Sequence, residues 1–209
     1  MKMTKPVCKT CKKYGVKLYL KGRRCETVKC PIDAREKKKR GRTSFVRRKK
    51  MSEYRIQLME KNKVKLYYGV LEKQFRRYFD EAKKQKGITG ENLLKMLESR
   101  LDNTLFRANW AYSRRMAKQI VNHGEVRING RRMDRPGYVL KTGDTVQLHP
   151  NSKYAKSVKE CLEEYKSHIM PGWIHVDNES FTVNVLRSPA RDEVTLPVNE
   201  QLIVNLYSK

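Results

Sequence analysis

Four of the five cysteines lie between residues 8 and 30, in the stretch CKTCKKYGVKLYLKGRRCETVKC. Two residues separate Cys8 from Cys11, four separate Cys25 from Cys30, and thirteen divide the pairs. Each close pair can present two sulfurs from one tight turn, and two such turns complete a tetrahedron of thiolates suited to zinc. The competing readings are two disulfides or unrelated free thiols. A reducing compartment weighs against the first, and the clustering of four cysteines weighs against the second. Four protein ligands leave no open position, so the ion would hold structure and not catalyse. A short basic segment lacks the apolar surface to fold alone, and metal binding supplies that free energy. Between the pairs, VKLYLKG alternates apolar and polar residues and predicts a strand leading to a turn at Gly22. Pro31 keeps Cys30 out of helix. Cys161, in SKYAKSVKECLEEYKS, is expected to be a small apolar helix residue with no role.

The second chemical pattern is cationic. In residues 97–148, Ser113 is placed to cap a helix whose first turn carries Arg114 and Arg115, with Lys118 following on the same face. Cations at a helix N-terminus oppose the macrodipole, so their purpose is sought in an anion beside the free N–H groups. That helix is expected to end near Gly124, a natural left-handed cap. EVRINGRR then reads as a strand with Val126 and Ile128 inward and Arg127 outward. A tight Asn129-Gly130 turn follows and carries Arg131 and Arg132. VLKTGDTVQL reads as a further pair of strand-like runs around Gly143-Asp144. One face thus collects Arg107, Arg114, Arg115, Lys118, His123, Arg127, Arg131 and Arg132, a one-sign field that suits phosphates better than water.

Three helices are expected to support this face. SEYRIQLMEKNKVKLYYG has Ser52 as its cap, Ile56, Met59, Val64 and Tyr67 at helical spacing, and Gly69 as its end. VLEKQFRRYFDEAKKQKG turns Val70, Leu71, Phe75, Tyr78 and Phe79 inward and closes at Gly87. TGENLLKMLESRLDNTLFRANW reads as one helix with Leu93, Leu94, Leu97, Leu101 and Leu105 on its apolar side. PGWIHVD, SFTVNVLRSP and QLIVNLYSK alternate like strands and are expected to pack with the helices, with Trp173 in the core.

Charge bounds the partner. The 209 residues hold 48 Lys plus Arg against 22 Asp plus Glu, a net +26. Residues 1–50 carry 20 basic and 3 acidic side chains, whereas residues 151–209 carry 7 and 8. Residues 34–50, AREKKKRGRTSFVRRKK, have ten Lys or Arg and one Glu. Such a charge resists compaction and calls for a polyanionic partner. No apolar run is long enough to span a bilayer and no secretory signal opens the chain. No membrane partner, no small-molecule substrate and a cytoplasmic location are therefore expected.

SRRMAKQIVNHGEVRINGRRMDRPGYVLKTGD resembles the small RNA-binding domain named after small-subunit ribosomal protein four. VCKTCKKYGVKLYLKGRRC is similar to the zinc-binding N-terminus of the bacterial form of that ribosomal protein. SEYRIQLMEKNKV, YGVLEKQFRRYF, TGENLLKMLESRLDN and LPVNEQLIVNLYSK resemble the family's other segments in the same order. The resemblance implies an α+β fold: a zinc-bound N-terminal module, a helical body, and an inserted small α+β RNA-binding domain of two helices packed on a short sheet. The expected divisions are 1–50 for the four-cysteine zinc module with its basic arm, 51–98 and 161–209 for the body with C-terminal strands, and 99–160 for the RNA-binding domain. The family's function would be that of a structural constituent of the small ribosomal subunit. It would be a primary binder of 16S ribosomal RNA, clamping a multi-helix junction of the 5′ domain and nucleating assembly. Its neighbours would be small-subunit proteins five and three, and messenger RNA at the entrance channel. There Arg47, Arg48, Lys49 and Lys50 would meet incoming messenger, with effects on unwinding and accuracy. Tyr54, Lys61, Lys65, Arg76, Arg100, Asn103, Ser113, Gln119 and Asn129 complete the candidate RNA-binding set. The implied cofactor is one structural Zn(2+) on Cys8, Cys11, Cys25 and Cys30. One departure stands out: where many bacterial members carry Pro-Gly-Gln-His-Gly, residues 33–50 read DAREKKKRGRTSFVRRKK.

Two other classes are weighed. An RNA-modifying enzyme can carry the same small domain, but Asp177, Asp192, His149, His168 and His175 form no catalytic constellation, and no enzymatic activity is expected. An activity screen on unmodified RNA separates that class. A zinc-dependent DNA-binding regulator would prefer duplex DNA over structured RNA in competition.

Overall fold

The structure is a computed structural model that describes residues 6–34, 51–166 and 168–208. The chain forms two compact units, one from residues 1–76 with 196–209 and the other from residues 77–195. Among the described residues, no helix is long and apolar enough to cross a membrane.

The first unit begins with helix α1 (Val7–Tyr14), which ends at Gly15 in the left-handed conformation, φ +68°. Cys8 and Cys11 therefore sit one helical turn apart and not on the expected tight turn. Residues 16–20 form no strand; Leu18 is fully buried there. A 3-10 turn, Gly22–Cys25, carries the third cysteine.

Helix α2 (Glu53–Tyr67) starts where expected, with the Arg55 N–H donating to Ser52 Oγ at 3.4 Å. Its buried stripe is Gln57, Lys63, Val64 and Tyr67, whereas Ile56 faces solvent. Leu71, expected inward, is also exposed, while Phe75 is fully buried. The C-terminal QLIVNLYSK is not a strand but helix α8 (Glu200–Tyr207), which packs on α2. Asn199 caps it by accepting from the Gln201 N–H, and the Asn199 N–H donates to Glu60 Oε2 at 3.3 Å.

Glu72, at the start of α3 (Glu72–Lys84), ties these helices together. It accepts from Lys61 at 2.7 Å, Lys65 at 2.6 Å and the Tyr207 hydroxyl at 2.9 Å. Partial burial raises its pKa, but the hydrogen bonds from Lys61, Lys65 and Tyr207 outweigh burial and bring the carboxyl down from 4.5 to about 2. A depressed folded pKa gives stability that is present above about 4.5 and lost as pH falls through about 2. Because the side chain is 47% exposed, solvent limits this contribution to on the order of 1 kcal/mol. Glu72→Gln is thus expected to lower the melting temperature near neutral pH and to flatten its dependence below pH 4.5, measured on both proteins from pH 2 to 7.

The second unit is built on a five-stranded antiparallel sheet in the order β2-β1-β3-β5-β4. Its strands are β1 (Val126–Ile128), β2 (Arg131–Met133), β3 (Thr145–Leu148), β4 (Ile174–Asp177) and β5 (Thr182–Val185). Val126, Ile128, Val146, Leu148, Val183, Val185 and Ile174 form its apolar face. Against them pack residues of α5 (Leu101–Arg107), α6 (Arg114–Asn122) and α7 (Ala155–Glu164), with Trp110 and Trp173 fully buried. Two helices packed on a sheet were expected; the compact unit, residues 77–195, extends beyond the 99–160 expected for the small domain. β5 occupies the edge that β3 would otherwise leave open, and β4, β5 and α7 complete one core. The C-terminal strands therefore belong to this sheet and not to the helical body. Cys161 is buried in α7.

The third expected helix is two, α4 (Thr89–Glu98) and α5, broken at Arg100, whose backbone is extended at φ −67°, ψ 140°. Arg100 bridges to Val139, the Leu101 N–H donates to Tyr138 O, and the Leu140 N–H donates to Ser99 O. Val139 thus serves this bridge, so only β3 remains of the two runs expected around Gly143. All five predicted leucines are buried, with Leu101 and Leu105 joining the core against the sheet.

Candidate nucleic-acid interface

The cationic face is carried by α6 and the β1–β2 hairpin. Ser113 caps α6 as predicted, its Oγ accepting from the Met116 N–H at 3.3 Å. Ala117, Ile120 and Val121 are buried, which turns Arg115, Lys118 and Gln119 toward solvent. The helix stops at Gly124, φ +69°. A Cβ there would overlap the Arg132 guanidinium, which lies across the glycine and donates to His123 O at 3.5 Å. Asn129 and Gly130 both have positive φ, 49° and 79°, the two-residue turn that matches strand twist. Register places Arg127 directly opposite Arg132, on the face away from the core, with exposed Gln147 on its other side. Among the described residues, no ion pair or side-chain hydrogen bond engages Arg115, Lys118, Arg127 or Arg131. These side chains have no internal counter-charge.

Asn129 is a clamp for the turn. Its amide donates to Asp144 Oδ1 at 2.9 Å and its Oδ1 accepts from the Thr145 N–H at 2.9 Å. Its side chain thereby fixes the turn.

Four other candidates are placed inside the fold. Arg100 is 1% exposed and makes a two-pronged pair with Asp102, Nε–Oδ1 3.0 Å and Nη2–Oδ2 2.7 Å, while Nη1 donates to Tyr78 Oη at 2.8 Å. Asn103 is fully buried, donating to Glu98 and accepting from Arg114 Nε at 2.7 Å. Arg114 is buried over the Phe106 ring, 4.3 Å from its centroid. Arg107 pairs with buried Glu98 at 2.8 Å and reaches Thr195. Arg100, Asn103 and Arg114, named as RNA-binding candidates, are thus buried and paired within the fold with a carboxylate or amide. Arg107 is held in the same network at the rim. In the first unit, Lys61 and Lys65 are held by Glu72, whereas Tyr54 and Arg76 are exposed. Arg47, Arg48, Lys49 and Lys50 lie outside the described residues.

Sequence reading missed Tyr154. Its hydroxyl lies 2.9 Å from His123 Nδ1, across thirty-one residues, and nothing local marks that pairing.

The four N-terminal cysteines, all unbridged, line one cavity of about 20 Å³ together with Val7, Leu20, Pro31 and Ile32. Cys11, Cys25 and Cys30 are buried. Burial pushes the Cys11 thiol above its ordinary value; the Leu18 backbone N–H offsets part of this, and Cys25, Cys8 and Cys30 each add to the rise. Burial likewise raises Cys25, partly offset by the Lys21 N–H, 3.4 Å from its sulfur. The sulfurs share a cavity without forming a ready ligand set: among the described residues, no group of three or more His, Cys, Asp or Glu is arranged to hold a metal ion.

Residues 2–98 match the family described as Ribosomal protein S4/S9 N-terminal domain, and residues 99–146 match the S4 domain. Small ribosomal subunit protein uS4 of Natranaerobius thermophilus is 48% identical over 204 residues, covering 98% of this chain and 97% of that protein. The protein of that name from Pelotomaculum thermopropionicum is 46% identical, covering 99% and 98%. Small ribosomal subunit protein uS4A of Symbiobacterium thermophilum is 48% identical over the same shares. A cationic α6–hairpin face on a closed core, matched end to end by these relatives, leads to one conclusion: the chain belongs to the small ribosomal subunit protein uS4 family.

Proposed function

We propose that this chain is a structural constituent of the small ribosomal subunit, working in the cytoplasm as a primary binder of 16S ribosomal RNA. It belongs to a family of structural, non-enzymatic proteins. The observation that carries the reading is the set of uncompensated cations, Arg115, Lys118, Arg127 and Arg131, on a rigid helix and hairpin. Rigid placement favours shape recognition, the mode by which folded RNA is bound through backbone and 2′-hydroxyl contacts. The target is a multi-helix junction of the 5′ domain, whose clamping nucleates assembly. Proteins five and three are the expected neighbours, and Arg47, Arg48, Lys49 and Lys50 face messenger at the entrance channel.

One structural zinc on Cys8, Cys11, Cys25 and Cys30 is part of the same proposal. The donors fit it: four thiols around an ion-sized cavity with apolar walls, and N–H groups of Leu18 and Lys21 directed at two of the sulfurs. Drawing the sulfurs into a tetrahedron is what the ion itself would supply.

Filter binding to a 5′-domain transcript across a salt series tests the RNA reading. Arg127→Ala and Arg131→Ala should each weaken binding and reduce the slope of log affinity against log salt by about 1, the signature of one lost phosphate contact. Unchanged slopes in both variants would remove the hairpin from the interface. In lysate, the protein should sediment with small subunits through moderate salt. Free sedimentation would reject a ribosomal role.

A further inference from the structure

We propose that His123 and Tyr154, flanked by Arg132 and Lys153, form a stacking subsite for one unpaired nucleotide of the bound RNA. The inference rests on the RNA-binding reading and adds a base-recognition element to it.

His123 is exposed at the end of α6. Its ring is held rather than free, because Nδ1 meets Tyr154 Oη at 2.9 Å and the two rings lie 5.7 Å apart at 53°. Tyr154 is fixed in turn. Its N–H donates to Ser152 Oγ at 3.2 Å, and the turn that begins at His149 is pinned by the His149 N–H to Glu125 O at 2.8 Å. On one side, Lys153 Nζ lies 5.8 Å from the Tyr154 centroid. On the other, the Arg132 guanidinium lies flat across Gly124, where the absence of a side chain leaves room for it. Two rings, a guanidinium and an ammonium thus adjoin at one corner, where His123 is exposed and Tyr154 is partly buried against the core.

That combination is what a splayed nucleotide requires. A base stacks on imidazole, phenol or guanidinium planes, and its phosphates meet the flanking cations. With Nδ1 occupied by Tyr154, His123 Nε2 has no partner among the described residues, which leaves it for a base edge. A double helix offers stacked bases with no free face, so the subsite selects a bulge or loop. This sets it apart from Arg127 and Arg131, which suit phosphates at any sequence.

The test uses the full chain and a transcript of the 16S ribosomal RNA 5′ domain, read by affinity and by base-edge chemical probing. His123→Ala should weaken binding about tenfold or more with no change in salt slope, since no phosphate contact is lost. One unpaired base protected by the wild type should become reactive. His123→Phe should restore most of the affinity because it keeps a flat ring, which a purely structural hydrogen bond would not allow. Tyr154→Phe, which leaves the packing intact, should loosen the same base. If the wild type binds tightly and His123→Ala and Tyr154→Phe match it within twofold with identical probing patterns, the subsite is refuted while the RNA reading stands. If the wild type does not bind the transcript, both fall.

Discussion

Replacing Asp102 with alanine is expected to destabilise the unit of residues 77–195 by about 3–5 kcal/mol. The Arg100 guanidinium and the Asp102 carboxylate are 1% and 2% exposed. They meet through two hydrogen bonds, 3.0 and 2.7 Å. Without the carboxylate, a permanent cation stays buried with Tyr78 Oη as its remaining side-chain partner in that pocket. Tyr78 compensates poorly, since its hydroxyl is a neutral group that already accepts from Nη1 while its proton goes to Gly137 O at 3.0 Å. The loss should appear as a lower urea midpoint with an unchanged m-value. Arg100→Met combined with Asp102→Leu should recover most of the loss, because an apolar pair of similar volume removes both the cost and the gain of burying charge. Tyr78→Phe should cost only about 1 kcal/mol, the net value of an ordinary hydrogen bond. A loss below about 1 kcal/mol for Asp102→Ala would mean that water reaches Arg100 and that the pair is not buried in solution. The same variants separate stability from recognition. Arg100→Met with Asp102→Leu, folded, should keep the wild-type salt slope on RNA, whereas Arg127→Ala should not.

Arg100 also marks the limit of what residue type reveals. In the sequence, Arg100, Arg107 and Arg114 look no different from Arg115, Arg127 and Arg131. What separates them is a carboxylate or amide delivered by tertiary structure: Asp102 to Arg100, Glu98 to Arg107, Asn103 to Arg114. Asp102 is only two residues from Arg100, yet i,i+2 side chains do not face each other on a helix. They meet because Arg100 is extended, and it is extended because Val139 bridges to its backbone. No local pattern contains that instruction.

Signals carried by short-range geometry were legible. Ser52 and Ser113 cap the helices they precede, and Asn129-Gly130 makes the hairpin. The alternation in residues 174–185 gave strands, but alternation fixes the side-chain face and not the neighbouring strand, so membership in the β1–β3 sheet was invisible. QLIVNLYSK is short enough to satisfy either period, and the Asn199 cap together with docking on α2 decided for helix. The C-x2-C spacing has the same ambiguity, since two residues between cysteines fit a tight turn or one helical turn. All four cysteines line one cavity, without the ligand arrangement that the spacing was read for.

On the proposal that one zinc is bound, its withdrawal from the purified protein with a strong chelator is expected to unfold residues 6–34 while the 77–195 unit keeps its own melting transition. Residues 6–34 bury Leu18, Ile32 and three of the cysteines and little else that is apolar. Such a core does not offset the conformational entropy of nearly thirty residues at about 1–2 kcal/mol each. Four thiolates brought to one cavity also repel, in keeping with the upward push that Cys25, Cys8 and Cys30 add to burial at the Cys11 thiol. A divalent cation reverses that sign. Structural zinc sites contribute about 10–16 kcal/mol in apparent binding free energy near neutral pH, enough to decide whether the segment folds. The reduced protein should therefore contain one zinc per chain, and Cys11→Ser or Cys30→Ser should lose both the metal and the slow amide exchange of residues 6–34. Cys161→Ser should lose neither, because Cys161 lies in α7, outside the cluster. The added test is RNA binding. With the segment unfolded, Lys21, Arg23, Arg24 and Lys29 lose their fixed positions, so affinity for the 5′-domain transcript should drop and return when zinc is restored. A metal-free protein with full amide protection across residues 6–34 would show instead that the buried thiols and Leu18 suffice.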